Sequence, residues 1–452
     1  MWSKLPAFLV RHRLAYLLLL LTSVLVLFTL DSTPATAWSS GSRTANRKLA
    51  NSKLQGAGAV AVLDLNNFHD EVHGAVIWSL QQFAGLDVRL YRPAWRWYFE
   101  HSISSFWSSR PRDPQLLIAD LREDHSIRHL IMTTSDWDFG KLGGELEAAW
   151  DERPHDAKFD ITAVRHWAGD MNRFTGMAER GALALLGLGD HVANNLRQSV
   201  DEMLGAHREA GNDRAADAWG KVKIRTFIPV FPAGRFPHVG DSIFDPRPDG
   251  SNSMDMVVIQ STHFNEEHRN MNDIFTVLNS SLHEDPALWG YAPPNETTPR
   301  FTPLPDTSGV FKLYTVGATP SWPPEELKEV VMSRTSYAYP HFYAAMHAAD
   351  LILPALGGRG YETSRATSTM GVAGSSDVPL LVSETQNAAY GWFCPAFGIL
   401  RPDDMPEMEY VKLVRQGLIP WPTRGERERA MQDCMDAWTA TNMDLWAELF
   451  AK

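Results

Sequence analysis

Beyond residue 57, the first apolar run of the chain leads directly into amide, imidazole and carboxylate side chains: Asn66-Asn67-Phe68-His69-Asp70-Glu71-Val72-His73. Two histidines four apart on a helix share a face and can chelate a cation. A zincin keeps its general base directly after the first histidine, but Asp70 stands there and Glu71 comes one place late. The other register puts Val72 where the glutamate is needed, so a polar, partly exposed helix start is the better reading. Asp136-Trp137-Asp138 has the spacing that holds a divalent ion against a nucleotide pyrophosphate, with an exposed acidic loop as the plain alternative. The spacing of His263 and His268 fits no chelating helix face, and no metal ligand set is assigned. Walker A, G-x-G-x-x-G and G-x-S-x-G sequences are absent, against P-loop, dehydrogenase and hydrolase chemistry.

Other candidates sit where apolar runs end. His166 follows the run closing at Arg165, and Gln260-Ser261-Thr262 closes a later one, with Arg269-Asn270 opening the next helix. Gly317 ends the run Phe311–Val316. After Leu353 come Pro354, the glycines 357, 358 and 360, then Tyr361 and Glu362, and a helix start carrying Ser368 and Thr369. Amides and hydroxyls at such a start suit a pyrophosphate, and Arg269 would add charge. Each feature alone is equally an ordinary loop or cap; together they fall at corresponding ends of two sheets.

Those ends require strands. Gly58–Leu65 (GAVAVLDL) is a short apolar run, as expected for a strand buried on both faces of a parallel sheet. A helix follows over 70–83, with Val72, Ala75, Val76, Leu80 and Phe83 on one stripe, and Val88–Tyr91 completes a βαβ unit. Further strands are expected at His129–Thr134, Phe159–Arg165 and Lys223–Val230. The Gly-, Pro-, Asp- and Ser-rich stretch 233–253 reads as a hinge. The pattern then restarts: strands at Met254–Gln260, Phe311–Val316, Leu351–Leu353 and Pro379–Val382, helices at 272–282, 342–348 and near 364–373, and a helical end from Arg424. The fold expected is α/β, two tandem Rossmann-like domains over 57–240 and 241–423, then a helical segment 424–452. A cleft between the carboxyl ends of the two sheets would take a nucleotide-like ligand.

The chain has 452 residues, 44% hydrophobic and 21% charged, which excludes a mostly disordered chain or a coiled coil. Its net charge of −12 argues against a general nucleic-acid binder. Residues 14–30 form an uncharged apolar run, about 26 Å long as a helix, preceded by Lys4, Arg11 and Arg13. That pattern predicts a cytosolic tail 1–13, a transmembrane anchor 14–30 and a flexible stem 31–56, giving a type II protein of the Golgi or endoplasmic reticulum with a lumenal body. Ala35-Thr36-Ala37 leaves open a cleaved signal peptide and secretion. Glycosylation sequons stand at Asn279 and Asn295. The two cysteines, Cys394 and Cys434, either pair in an oxidising lumen or remain separate thiols. The Trp-rich stretch 92–107 reads as an amphipathic lid over the cleft or a surface for partners or membrane.

The segment His341-Phe342-Tyr343 through Asp350-Leu-Ile-Leu-Pro354 and Ala366-Thr-Ser-Thr-Met370 to Pro379-Leu-Leu-Val-Ser-Glu384 resembles the donor-binding half of GT-B glycosyltransferases. More narrowly, residues 57–440 are similar to single-pass GT-B-like glycosyltransferase proteins of filamentous fungi, through Asn67-Phe68-His69-Asp70-Glu71-Val72 with Trp78, through Phe227–Pro232, and through Arg269-Asn270 with Ile274-Phe275. The resemblance implies metal-independent transfer of a sugar from a nucleotide-sugar co-substrate, with no further cofactor, to a glycan, lipid or protein acceptor. It assigns Arg269 to the donor diphosphate, and to Glu362 the first acidic place of an E-x7-E motif whose second place is Met370. Gly317, Tyr361, Ser368 and Thr369 join the donor side, and Asn66, Asn67, His69 and Glu71 the facing side, with His166 near the reacting sugar. Ser261 stands where the family keeps a glycine. That change and the missing second carboxylate make a silent sugar- or nucleotide-binding protein the alternative, with a lumenal scaffold third.

Overall fold

The computed structural model describes residues 58–236, 252–305 and 309–451. The tail, the apolar run 14–30, the stem and most of the hinge lie outside the described residues. Among the described residues, no helix is long and apolar enough to cross a membrane.

The first lobe is a six-stranded parallel sheet ordered β2-β1-β3-β4-β5-β6. Its strands are β1 (Ala59–Leu63), β2 (Val88–Tyr91), β3 (Ile127–Met132), β4 (Asp160–Arg165), β5 (Leu183–Gly187) and β6 (Lys223–Thr226). β1 is buried along its whole length because helices cover both sheet faces. Burying each Val or Leu there contributes about 1.5–3 kcal/mol. The helices are α1 (Asp70–Gln81), α2 (Phe99–Ile103), α3 (Leu117–Glu123), α4 (Ser135–Glu152), α5 (Thr175–Glu179), α6 (Asp190–Glu209) and α7 (Asp213–Trp219).

The second lobe repeats the plan with β7 (Met256–Ser261), β10 (Lys312–Gly317), β11 (Val331–Thr335), β12 (Leu351–Ile352), β13 (Leu380–Ser383) and β14 (Gly398–Arg401), ordered β11-β10-β7-β12-β13-β14 and parallel throughout. A short antiparallel pair, β8 (Tyr291–Ala292) and β9 (Thr302–Pro303), stands apart. The helices are α8 (Met271–Glu284), α9 (Tyr339–Ala348), α10 (Gly360–Thr363), α11 (Ser368–Ser375), α12 (Glu384–Tyr390), α13 (Glu407–Arg415) and α14 (Arg424–Phe450). This lobe has the full Rossmann strand order, while the first has the flavodoxin-like order with one strand added. In each, the order reverses beside the first strand, leaving a crevice at its carboxyl end.

Several expectations need correction. The strand expected over 223–230 ends at Thr226, and Phe227–Pro232 runs on outside the sheet with its apolar side chains buried. β5, β11 and β14 were not anticipated, nor were α4 and α6. β11 (Val-Met-Ser-Arg-Thr) is a half-exposed edge strand without clear alternation, and β5 (Leu-Ala-Leu-Leu-Gly) is too short for periodicity to separate it from a helix. The stretch 92–107 forms only the one-turn α2, entered through left-handed Trp97 and Tyr98; it packs Trp107 inward and meets Tyr339 of the second lobe through Trp97 and Phe99.

α14 ties the lobes together. Thr423 and Glu426 form its capping box, and its first half buries Met431, Cys434, Met435 and Trp438 in the second lobe. Its second half crosses to the first lobe, where Trp446 Nε1 donates to Ser79 Oγ (2.8 Å) and Phe450 stacks on His129. Between them, Asn442 both donates to and accepts from the Ile228 backbone (2.8 and 3.1 Å). Cys434 is joined to Cys394 in a disulfide. The sequons differ: Asn279 sits within α8 with its amide donating to Glu326, whereas Asn295 lies in an exposed turn.

Replacing both cysteines by serine opens a loop of 40 residues and is expected to lower the unfolding free energy by about 4 kcal/mol, read from urea denaturation of the full chain.

Candidate functional site

The carboxyl ends of β1, β3 and β4 build a buried polar floor. Asp64 leaves β1, and its Oδ1 accepts from the Asn66 amide (3.0 Å) and from Thr134 Oγ1 (3.3 Å). Asp138, in the first turn of α4, accepts from the Leu65 amide (3.1 Å) and Asn66 Nδ2 (3.3 Å), and its Oδ2 lies 2.7 Å from Thr134 Oγ1, whose one proton serves either this carboxyl or Asp64. Burial, with the nearby Asp64 charge adding to it, pushes Asp138 up to about 7. Burial also raises Asp64 and Asp70 despite the Arg92 cation beside them. Arg92 bridges Asp70 (2.6 Å) and Asn67 Oδ1 (2.7 Å), and the Tyr339 hydroxyl reaches Asp70 from the second lobe (3.0 Å).

The Asp136/Asp138 pair is thus neither an exposed loop nor open to a metal ion. Asp136 is ion-paired with buried Arg165 (2.6 Å), and Asp138 is held by the β1 loop. The His69/His73 pair is divided as well. His73 is fully buried against Thr133 Oγ1 (3.0 Å), correcting the partly exposed helix start, while His69 stands outside α1 in a left-handed conformation. Among the described residues no group of three or more His, Cys, Asp or Glu is placed to hold a metal ion.

His69 stacks on His166, with ring centroids 3.7 Å apart. The two imidazoles have opposed protonation preferences. Burial drives His166 well below the usual histidine range, and neighbouring His69 adds to this. The Thr133 carbonyl accepts from the His166 ring, and its Nε2 has no partner. For His69, whose side chain is 41% exposed, the cost of burial is outweighed by hydrogen bond and charge from Glu71 (3.3 Å), and its pKa rises. The two stacked imidazoles therefore differ in their preference for a proton.

On the facing lobe, Arg269 is buried. It donates to the Gln260 carbonyl (2.8 and 3.0 Å), the His268 carbonyl (2.8 Å) and Thr369 Oγ1 (2.8 Å), and Thr369 donates to Gln260 Oε1 (2.8 Å). Thr367 caps α11, accepting from the Thr369 amide, so Ser368 and Thr369 form its first turn. Tyr361 lies under Arg365, and Glu362 accepts from Gln386 (3.3 Å). Gly317 stands apart from these: a side chain there would overlap the Ser261 carbonyl, so it serves close strand packing. A cavity of about 330 Å³ opens beside Gln386, lined also by Asn270, Asp273, Arg401, Asp403 and Glu407. Burial raises Glu407 to about 7.

The two sets of loops touch. The Ala366 amide donates to the His166 carbonyl (2.9 Å), Trp167 bridges to Arg365, and His191 Nε2 lies 3.1 Å from the Arg365 carbonyl. The stretches 66–69 and 361–369 therefore border one crevice.

The crystal structure of Anabaena Alr3699/HepE in complex with UDP and glucose matches this chain at a TM-score of 0.50 and 10% identity, covering 87% of this chain and 99% of that one. The chain has a GT-B-like fold. A sucrose-phosphate synthase from Thermosynechococcus elongatus aligns at 0.47 and 12% identity, over 87% of this chain and 99% of that one. A glycosyltransferase from Rickettsia africae aligns at 0.45 and 10%, over 86% and 97%. No family model and no curated protein matches the chain.

The sequence reading singled out Asn66, Asn67, His69, Glu71, His166 and the 361–369 stretch, which the structure brings to one crevice. It passed over Asp64, Arg92, Thr133, Thr134, His191 and Tyr339. Asp64 carried a signal, being a carboxylate at the end of an otherwise apolar strand. The others became neighbours only through the strand order.

Asp138 is held protonated in the fold to about pH 7, against an ordinary aspartate value of 3.8. Its contribution to stability is complete below about pH 4 and is lost as pH rises through about 7. Asp138→Asn is therefore expected to unfold at higher urea than the parent at pH 8, by on the order of 1–4 kcal/mol, with the gap closing near pH 4. A gap independent of pH would exclude this protonation.

Proposed function

We propose that the chain is a glycosyltransferase moving a sugar from a nucleotide-sugar donor, bound by the second lobe, to an acceptor bound by the first. One observation carries the reading: the contact of Ala366 with His166 (2.9 Å) brings the start of α11 against the His69–His166 stack (3.7 Å). The donor diphosphate would lie over Ser368 and Thr369, where helix amides favour anions. Arg269, fixed to Thr369, adds positive charge behind them and stabilises the leaving diphosphate without need of a metal ion. The nucleoside would enter the cavity beside Gln386, whose acidic lining suits an uncharged group and whose Glu407 can donate a hydrogen bond while protonated. The buried, unpartnered Nε2 of His166 would take the acceptor hydroxyl proton, and His69, whose pKa is raised by Glu71, would face the departing phosphate.

The acceptor would be a glycan, lipid or protein. We place the protein in the Golgi or endoplasmic reticulum membrane, anchored through 14–30 with a lumenal body, or secreted if that run is cleaved. The disulfide suits such an oxidising compartment. A silent nucleotide-binding protein is the second reading. It is favoured by fully buried Met370 at the second E-x7-E place and by an Arg269 engaged with backbone carbonyls.

UDP or GDP is expected to raise the melting temperature of the full chain, by the equivalent of about 2.7 kcal/mol at a hundredfold excess over Kd. Donor-sugar hydrolysis should fall about 10²–10⁴-fold in His166→Ala with the nucleotide shift retained. A shift with no hydrolysis in the parent selects the silent binder, and no shift with any nucleotide refutes both readings.

A further inference from the structure

The two sequons of the chain stand in opposite surroundings, Asn279-Ser280-Ser281 within α8 and Asn295-Glu296-Thr297 in the connection between β8 and β9. We infer that the folded protein carries an N-linked glycan at Asn295 and none at Asn279.

At Asn295 the acceptor group is set apart. Its Oδ1 accepts from the Thr297 amide (3.0 Å), the Thr297 hydroxyl (2.7 Å) and the Thr298 amide (2.9 Å). Donors converging on one atom fix which end of the side-chain amide is oxygen, because the amide nitrogen only donates. Residues 295–299 are all exposed, and Nδ2 has no acceptor among the described residues. Glycosylation there is a displacement at carbon: Nδ2 attacks the anomeric C1 of an oligosaccharide carried on a polyprenyl diphosphate. The N–C1 bond forms as the C1–O bond breaks, the diphosphate leaves with the bonding electrons, and the amide gives up one proton.

Asn279 is arranged the other way round. Its Nδ2 donates to Glu326 Oε2 (3.2 Å), and its Oδ1 is buried without a partner. A glycosylated side-chain amide is a secondary amide, whose favoured trans form puts C1 on the same side as the carbonyl oxygen. At Asn279 that side is filled by protein. Ser281, whose hydroxyl completes this sequon, is buried as well. A sugar attached to Asn279 before folding would keep α8 from seating Leu278 and Leu282 in the core, so such chains drop out of the folded population.

The Asn295 site leaves the crevice clear. The Phe311 amide, just before β10, donates to the Trp289 carbonyl just before β8 (3.0 Å). The β8–β9 pair therefore sits at the amino end of β10, away from the carboxyl ends that border the crevice.

The inference rests on the lumenal placement proposed above and not on the transfer reaction. The test is expression of the full chain in yeast and treatment of the folded, monodisperse fraction with peptide N-glycosidase in heavy-oxygen water. The enzyme leaves a labelled aspartate at each occupied asparagine, read by peptide mass spectrometry. Label is expected at Asn295 and not at Asn279. The gel shift on deglycosylation should vanish in Asn295→Gln and in Thr297→Ala, with both variants responding to UDP as the parent does. Label at Asn279 in the folded fraction overturns the inference, and so does an unlabelled Asn295. A flexible C-terminal extension bearing Asn-Ala-Thr separates the causes: a glycan on the extension but not on Asn295 refutes the site alone, and a glycan on neither refutes the lumenal placement with it.

Discussion

A parallel strand covered on both faces can present chemistry only at its ends. This constraint organises the whole molecule. With β1 and β7 almost wholly buried, hydrogen-bonding and titratable groups must gather in the loops beyond their carboxyl ends. The strand orders then decide which loops become neighbours. In the first lobe the reversal beside β1 puts the Asp64 loop against Thr133, Thr134 and Asp138; in the second it puts the Gln260–Arg269 loop against Ala355–Gly357. The crevice follows from topology before any specific side chain is considered.

Low polarity gives these groups their character. Asp64, Asp70 and Asp138 are held in a space where a bare carboxylate is costly, and Arg92 compensates only part of that cost. The same burial keeps His166 neutral, while His69, half a step toward solvent and beside Glu71, favours its cation. Opposite behaviour of two identical side chains in van der Waals contact thus comes from position alone. The left-handed backbone at Asn67 and His69 (φ 55° and 57°) is the strain that such placement requires, on the order of 1–3 kcal/mol for each residue.

Much of this architecture was legible in the chain. Mainly apolar runs marked β1, β4, β7 and β10 to within a residue or two, because strands buried on both faces admit few polar residues, such as Thr162 and Thr315. Among the edge strands, β2 (Val88–Tyr91) was legible, whereas β11, with Ser, Arg and Thr in its second half, and β14 (Gly-Ile-Leu-Arg), with two apolar residues, were not. The loops bearing His69, His166 and Thr369 were visible as polar residues following apolar runs. Tyr339 was not, since it opens a helix far away in the chain and meets Asp70 only after both lobes have formed. Arg269 shows the opposite limit: its position between strand and helix could be read, but not that its guanidinium would turn inward to backbone carbonyls.

The last helix has a mechanical consequence. Since α14 is bonded covalently to one lobe through Cys434 and grips the connecting segment through Asn442, with Trp446 seated in the other lobe, it works as an axle. The crevice cannot gape by simple separation without extracting an indole from a core. A twist about that rod would in turn have to break the Ala366–His166 and Tyr339–Asp70 hydrogen bonds, so the helix and the crevice contacts oppose opening in different directions.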